Sequence, residues 1–325
     1  MSPFISVVVP TYRRPALLIK CLDALINQSY PANRYEIIVV SDGPDPETFD
    51  AVNTFRTDKP VTIHILALPE KRGPAAARNL GWRSSQAALI VFTDDDCLPH
   101  PQWIRAFSDV YRITGKRMMA MTGRTIVPRS TPPTDYEQNI ANLERAEFIT
   151  ANCAITRNAL QTINGLDEAF TMAWREDSDL QFKLMKRGIR IYPVVNACVT
   201  HPVRKVSWGR CLKEEKKGMF DALLLKKHPE FCRMKINVRP PWHYYAMILF
   251  FVLAWSGLIS QNIPMLYFSC CVWLAMVMLF AWKRLQNTAH TPAHIAEMIF
   301  TSAWIPFLSV YWHLYGSIRF RSFCV

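Results

Sequence analysis

Residues 88–104 read ALIVFTDDDCLPHPQWI. An unbroken apolar run, Ala88 to Phe92, passes into Asp94, Asp95 and Asp96, and a helical pattern begins after His100. A run this short and this apolar suits a strand buried on both faces, as in a parallel sheet covered by helices. Three adjacent carboxylates at its end repel one another unless a cation or hydrogen-bond donors neutralise them. Oxygen ligation of this kind suits Mg²⁺ or Mn²⁺, which bind through one or two carboxylates together with substrate phosphates. An exposed acidic turn is the plainer reading of DDD alone; its position at a strand end favours a site.

Upstream the same unit recurs. Ile5 to Val9 precedes a helix from Pro15, Glu36 to Val40 precedes one after Asp45, and Val61 to Leu66 precedes one after Gly73. Four strand-then-helix units predict a mostly parallel, doubly wound α/β sheet, whose ligand lies beyond the carboxyl ends of the strands. Three of those ends carry chemistry: Pro10-Thr11-Tyr12-Arg13-Arg14, Ser41-Asp42-Gly43 and Thr93 to Asp96. Neither GxGxxG nor GxxxxGK[ST] occurs, which argues against dinucleotide cofactors and P-loop chemistry.

The chain has 325 residues, 50% hydrophobic and 20% charged, a balance that excludes disorder and collagen-like repeats. Its 9 cysteines are scattered and form no CxxC pair, as expected of a reduced compartment. The opening MSPFISVVVPTYRRP reads as a strand, not as a signal peptide. Almost all of the formal +12 charge falls after residue 200.

That basic end is also the membrane end. From Pro240 to Trp282 there is no Asp, Glu, Lys or Arg, and the polar break Gln261-Asn262-Ile263-Pro264 divides the stretch into two candidate spans, Trp242 to Ser260 and Met265 to Trp282. Each approaches the ~20 residues that cross a bilayer. Lys226, Lys227, Arg233, Lys235 and Arg239 precede the hairpin and Lys283 and Arg284 follow it, so the positive-inside rule places both flanks in the cytoplasm. A third apolar stretch, Ile295 to Ile318, holds Glu297, Pro306 and His313 and is followed by Arg319 and Arg321; it is expected to be re-entrant, interfacial or spanning. Residues 208–231, WGRCLKEEKKGMFDALLLKKHPEF, alternate basic and apolar clusters at helical spacing, fitting an anionic leaflet with Lys213, Lys216, Lys217, Lys226 and Lys227 toward headgroups, or equally a solvated helix packed on the domain. The membrane accounts for the positive charge, so nucleic acid is not an expected partner.

Taken in order, ISVVVPTYRRP, VVSDG, RGPAAARNLG, VFTDDDCLPHPQWI, TANCAITRNAL and WREDSDLQFKLMKRG resemble the family 2 glycosyltransferases of GT-A fold, over about residues 4–205. The resemblance implies a Rossmann-like, mostly parallel catalytic domain (1–205), followed by a basic amphipathic juxtamembrane segment (206–239) and a C-terminal transmembrane region (240–325). It implies an inverting transfer from a nucleotide diphosphate sugar, using Mg²⁺ or Mn²⁺. The hairpin is similar to that of many bacterial members, implying a multi-pass inner-membrane protein with its catalytic domain in the cytoplasm.

Carried over by motif, Pro10, Thr11 and Tyr12 would line the nucleoside pocket, with Asp42 and Arg78 contacting the base. Asp94, Asp95 and Asp96 match DxD: Asp96 is the expected metal ligand, and Asp94 or Asp95 would reach the ribose or a metal-bound water. Glu176-Asp177 matches the ED motif, with Asp177 as general base; a base across the anomeric carbon from the diphosphate must come from a segment remote from the metal site. Asp177 also opens a helix, where an acid is favoured merely by the dipole. Glu176, Asp179, Trp174 and Asn152 are expected on the acceptor side, and His201 as a further metal ligand or a structural histidine. One departure matters: VRKVSWGRC stands where processive members carry QxxRW, so a non-processive enzyme acting on a membrane-proximal acceptor, a lipid-linked saccharide or cell-envelope glycan, is expected, with a UDP-sugar favoured by Asp42. The alternatives are a nucleotidyltransferase, whose glycine- and lysine-rich loop PTYRRP lacks, and a non-catalytic membrane scaffold, which has no reason to keep Asp42, Asp96 and Asp177 together.

Overall fold

The computed structural model describes residues 4–236 and 241–322. In chain order the elements are β1 (Ile5–Thr11), α1 (Pro15–Ile26), β2 (Tyr35–Ser41), α2 (Pro46–Phe55), β3 (Thr62–Ala67), α3 (Pro74–Ser84), β4 (Leu89–Thr93), β5 (Leu98–Pro99), α4 (Trp103–Thr114), β6 (Ala120–Ile126), α5 (Asp135–Ile140), β7 (Asn152–Thr156), α6 (Arg157–Thr162), α7 (Glu176–Lys186) and β8 (Ile191–Thr200). Three short helices follow, α8 (Arg210–Glu214), α9 (Met219–Lys227) and α10 (Pro229–Phe231), then three long ones, α11 (Trp242–Ile259), α12 (Ile263–Leu285) and α13 (Pro292–Phe320). The chain divides into two compact units: Met1–Pro128 with Ala141–Val203, and Arg129–Ile140 with Arg204–Val325.

In the first unit one sheet runs β3-β2-β1-β4-β7-β6-β8-β5. Strands β1 to β4 are mutually parallel, as expected. Alternate residues of each strand enter two different cores. Ile5, Val7, Val9, Leu89 and Val91 pack with α1 and α4 on one face, and Val8, Ile90 and Phe92 pack with α3, α6 and α7 on the other. Burial on both faces is why these strands are continuously apolar. Proline in the first turn starts α1, α2 and α3, where its missing N–H costs nothing. Beyond β4 the sheet becomes mixed: β7 is antiparallel to both β4 and β6, while β8 is parallel to β6. Only its β4-side half was legible as a strand-helix repeat.

The second unit contains the helical hairpin. Its turn is tighter than the polar break suggests: the Asn262 side chain accepts from Met265 N at 3.1 Å, and Pro264 already lies in the first turn of α12. α13 is longer than expected and continuous through Pro306. All three long helices are long and apolar enough to cross a membrane, with mean hydropathies of 1.5, 2.1 and 1.3. The juxtamembrane stretch is not one helix; α8 gives way to a 3₁₀ turn at Glu215–Gly218 before α9. Arg239 and Pro240, which bound the expected membrane region, lie outside the described residues.

Candidate active site

The carboxyl ends of β1, β2 and β4 meet on one edge of the first unit. β1 extends further than its apolar run, so Pro10 and Thr11 are buried within it, paired with Val40 and Ser41. Thr11 Oγ1 donates to Asp95 Oδ2 at 2.8 Å, and Arg14 Nη1 to Asp95 Oδ1 at 3.1 Å. Asp95 thus faces β1, and its burial, with Asp96 and Asp94 nearby, pushes its carboxyl up to about 6 despite Arg14 and Thr11. Asp42 accepts on Oδ1 from the backbone N–H groups of Arg72 and Gly73, both at 2.7 Å. This knits the loop before α3 onto β2. Gly73 has a φ of +97°, and a Cβ there would lie 2.5 Å from the Thr171 carbonyl oxygen, so this position requires glycine. The Tyr12 ring carries Lys71 Nζ on its face, 4.0 Å from the centroid, so a stacking base would displace that lysine.

At the end of β4, Asp96 and His201 approach each other, with Oδ1 and Nε2 3.7 Å apart. His201 follows β8 and is fixed by its N–H to the Ile126 carbonyl at 2.8 Å. The donor atoms of Asp96, Cys97 and His201 all lie within 4.8 Å of one another. A carboxylate and an imidazole at this separation fit a divalent cation completed by diphosphate oxygens. Cys97, which the sequence reading passed over, fits it less well. It is fully buried in the core, and burial together with Asp94 and Asp96 holds its thiol well above the ordinary range, in the neutral form that ligates poorly.

Arg78 lies between the end of β4 and the start of α7. It is 2% exposed on α3, its Nη2 donates to Asp94 Oδ1 at 2.5 Å, and its Nη1 lies 3.7 Å from Glu176 Oε1. One buried guanidinium therefore joins the acidic end of β4 to the first residue of α7. Asp177 follows, its Oδ1 accepting from Thr150 N at 3.0 Å. Burial raises both carboxyls, Glu176 to about 8 with Asp177 as its next cause, while Arg78 and the Thr150 N–H hold Asp177 toward its charged form. Two buried carboxyls this close titrate as a pair, with protonation favoured by burial and opposed by the Arg78 charge. Arg175, immediately before α7, adopts φ +70°, an uncommon conformation for a residue with a Cβ, at the point where the two acids are aimed.

The remaining expected residues divide. Trp174 is 41% exposed with Arg175 stacked 4.9 Å from its ring. Asp179 is buried and pairs with Lys183 at 3.6 Å along α7. Asn152 is fully buried. Its Oδ1 accepts from Trp103 Nε1 at 2.8 Å, and its Nδ2 donates to the Arg124 and Ala197 carbonyls at 2.9 and 3.2 Å. That leaves its amide clamping α4, β6 and β8 together instead of projecting toward an acceptor.

The pH dependence follows from Glu176. Its folded pKa of about 8 lies above the ordinary value of 4.5, so protonation favours the fold. Stability is then greatest below the unfolded pKa and falls as pH rises through the folded one. Between pH 5 and 8 wild type should lose on the order of 2–4 kcal/mol relative to Glu176→Gln, which cannot ionise. Denaturant melts of both proteins at pH 5, 7 and 9 check this; a difference that does not vary with pH would contradict the assignment.

The sheet is of GT-A type, with an acidic strand end beside a histidine and a second acidic pair tied to it by a buried arginine. The family model described as Glycosyl transferase family 2 matches residues 6–179, and the chain belongs to that family. It is 31% identical over 162 residues to the glycosyltransferase AglE of Haloferax volcanii, covering 50% of this chain and 51% of that protein. To the probable glycosyltransferase YdaM of Bacillus subtilis it is 24% identical over 278 residues, covering 80% of this chain and 65% of the relative. The chain therefore spans less than two thirds of these relatives' own lengths. Among solved structures, mannosyltransferase PcManGT of Pyrobaculum calidifontis, in complex with GDP-Man and Mn²⁺, superposes with a TM-score of 0.55 at 17% identity, over 99% of this chain and 88% of that one, a likeness of fold.

Proposed function

We propose that the enzyme moves a sugar from a nucleotide diphosphate sugar, a UDP-sugar in the first instance, to a hydroxyl of a lipid-linked saccharide or cell-envelope glycan at the membrane, inverting the anomeric centre and adding one or a few residues. The observation that carries this reading is the Arg78 guanidinium shared by Asp94 and Glu176, because it ties the strand-end acids to the Glu-Asp pair. Tyr12 and Asp42 would hold the base, and Thr11 with Arg14 keeps Asp95 turned toward the nucleoside side.

In the transfer, Asp177 accepts the proton of the acceptor hydroxyl as its oxygen bonds to the anomeric carbon. The bond from that carbon to the diphosphate breaks on the opposite face, and the nucleoside diphosphate leaves with the bonding pair. Glu176, protonated near neutrality, donates to the acceptor and so orients it. Mg²⁺ or Mn²⁺ held by Asp96 and His201 would neutralise the departing diphosphate. Trp174 offers an apolar face to an acceptor ring.

We place the enzyme in a bacterial cytoplasmic membrane, anchored by the α11–α12 hairpin, with the transferase unit and the Lys283-Arg284 end of α12 in the cytoplasm. The absence of QxxRW supports the non-processive reading.

The test is a thermal-shift screen of the detergent-solubilised protein against UDP-, GDP- and dTDP-sugars with and without Mn²⁺. A donor present at 100 times its Kd stabilises by ~2.7 kcal/mol through mass action alone, a shift of a few degrees. One nucleotide class should raise Tm only with the metal. Stabilisation by no nucleotide sugar at millimolar concentration would overturn the donor assignment.

A further inference from the structure

α13 has two unlike faces. Phe300, Trp304, Tyr311, Leu314, Tyr315 and Ile318 are between 39% and 74% exposed. At ~100° per residue they fall in a single stripe ~100° wide. The opposite face is buried; besides Met298 and Ile305 it carries the small or polar Thr301, Ser302, Ser309, Gly316 and Ser317.

The juxtamembrane segment runs along much of that face, and the hairpin packs on α13 as well, with the Phe251 and Phe307 ring centroids 5.0 Å apart. Near its start, Trp208 Nε1 donates to the Ala293 carbonyl and Gly209 N donates to Glu297 Oε1 at 2.7 Å. Further along, Lys216 Nζ stands 5.4 Å from the Trp312 ring, and Asp221 Oδ2 lies 3.2 Å from His313 Nε2. At the far end the Met219 backbone abuts Gly316, and Lys226 Nζ donates to the Phe320 carbonyl at 2.8 Å. Arg284, in the last turn of α12 at the basic mouth of the hairpin, donates to the Thr301 and Ser302 hydroxyls.

A helix of 29 residues, ~43 Å long, that crossed the bilayer would therefore draw this segment across with it. Nine charged residues lie between Arg210 and Lys227, and charges at the bilayer midplane are strongly disfavoured. We infer that α13 does not cross. It lies in the plane of the cytoplasmic leaflet's interface, its aromatic stripe in the headgroup and upper acyl region, with the 208–227 segment above it. The occupant of the surface is an anionic lipid leaflet: Lys213, Lys216, Lys226, Lys227, Arg319 and Arg321 are all exposed along the two paired segments, and aromatic residues suit the interface. Only α11 and α12 then span, and Arg319 and Arg321 stay on the side of Lys283 and Arg284. This inference rests on the membrane anchorage proposed above.

The test measures depth in the full chain reconstituted into phosphatidylcholine vesicles containing phosphatidylglycerol. A nitroxide-bearing non-canonical residue is introduced singly at positions 300, 311 and 318, leaving the cysteines in place, and at 252 in α11 as a reference. The three α13 labels should report one shallow depth, equal within a few ångströms, and the label at 252 a deep one. A monotonic change across the ~27 Å from 300 to 318 would mean a span, and a deep 311 between shallow 300 and 318 a re-entrant helix; either overturns the inference. A water-exposed label at 252 would instead defeat the anchorage itself, and the inference with it. Omitting phosphatidylglycerol should raise the accessibility of the three α13 labels to an aqueous relaxant several-fold; no change would remove the anionic lipid from the account.

Discussion

Asp177→Asn should lower the rate of sugar transfer by roughly 10² to 10⁴ while leaving donor affinity within a factor of ~10, because it removes a proton acceptor and little else. The side-chain volume is kept, and the Thr150 N–H that Asp177 Oδ1 accepts can still be met by an amide oxygen. A residue that merely favours the start of α7 predicts a different pattern: a stability loss of ~1 kcal/mol or less and near-normal turnover, since Asn also serves helix starts well. Donor affinity, melting temperature and turnover measured on this one variant separate the two roles. Transfer at close to the wild-type rate would exclude Asp177 and leave Glu176 and Asp179 as candidates. The base must be ionised to act, and burial raises its pKa, so the acid limb of the wild-type rate should lie above the ordinary carboxylate range.

The second large effect concerns Arg78. Its guanidinium is 2% exposed, and it is the cation shared by Asp94 and Glu176. Arg78→Met keeps much of the aliphatic bulk and deletes the charge, leaving partly exposed Asp94 and the buried Glu176–Asp177 pair without the cation beside them. Removing one partner of a buried ion pair typically destabilises by ~3–5 kcal/mol. Urea unfolding at neutral pH should show a loss of that size, shrinking toward acid pH as the orphaned carboxyls take up protons. A loss below ~1 kcal/mol would mean that the guanidinium does not hold the two acidic segments together. Arg78→Lys should recover only part of the stability, since a single ammonium cannot present donors to both acids as a planar fork does.

These two residues mark what could be read from sequence and what could not. Asp177 could be singled out from sequence because its motif is local; its role as base is the proposal tested above. The parallel half of the sheet was visible for a similar reason: β1, β2 and β4 are apolar runs buried on both faces, and the helices after β1, β2 and β3 start with proline. The site of Arg78 was not visible. A buried arginine and a surface arginine are the same letter, and its partners come from β4 and from α7, which only the folded chain brings together. Asn152 shows the converse, since a polar residue in a motif strand suggested ligand contact, whereas its amide satisfies Trp103 and two backbone carbonyls in the core. No periodicity encodes that choice. The pairing of the juxtamembrane segment with α13 was hidden as well, because each strip looks amphipathic alone and the sequence does not say which face meets which. The positive φ of Arg175 has no sequence signal, as glycine or asparagine would ordinarily stand there.

The central claim is that Asp96 and His201 hold a divalent cation through which the donor diphosphate is bound, in the same space that the Glu-Asp pair faces. Calorimetric titration of the stabilising nucleotide sugar into wild type and Asp96→Ala, each with Mn²⁺ and with a chelator, measures it directly. Binding should be seen for wild type with Mn²⁺ and lost in the other three titrations, with the variant's unfolding transition unchanged. Donor binding that persists in chelator, and is equal in Asp96→Ala, would contradict the account.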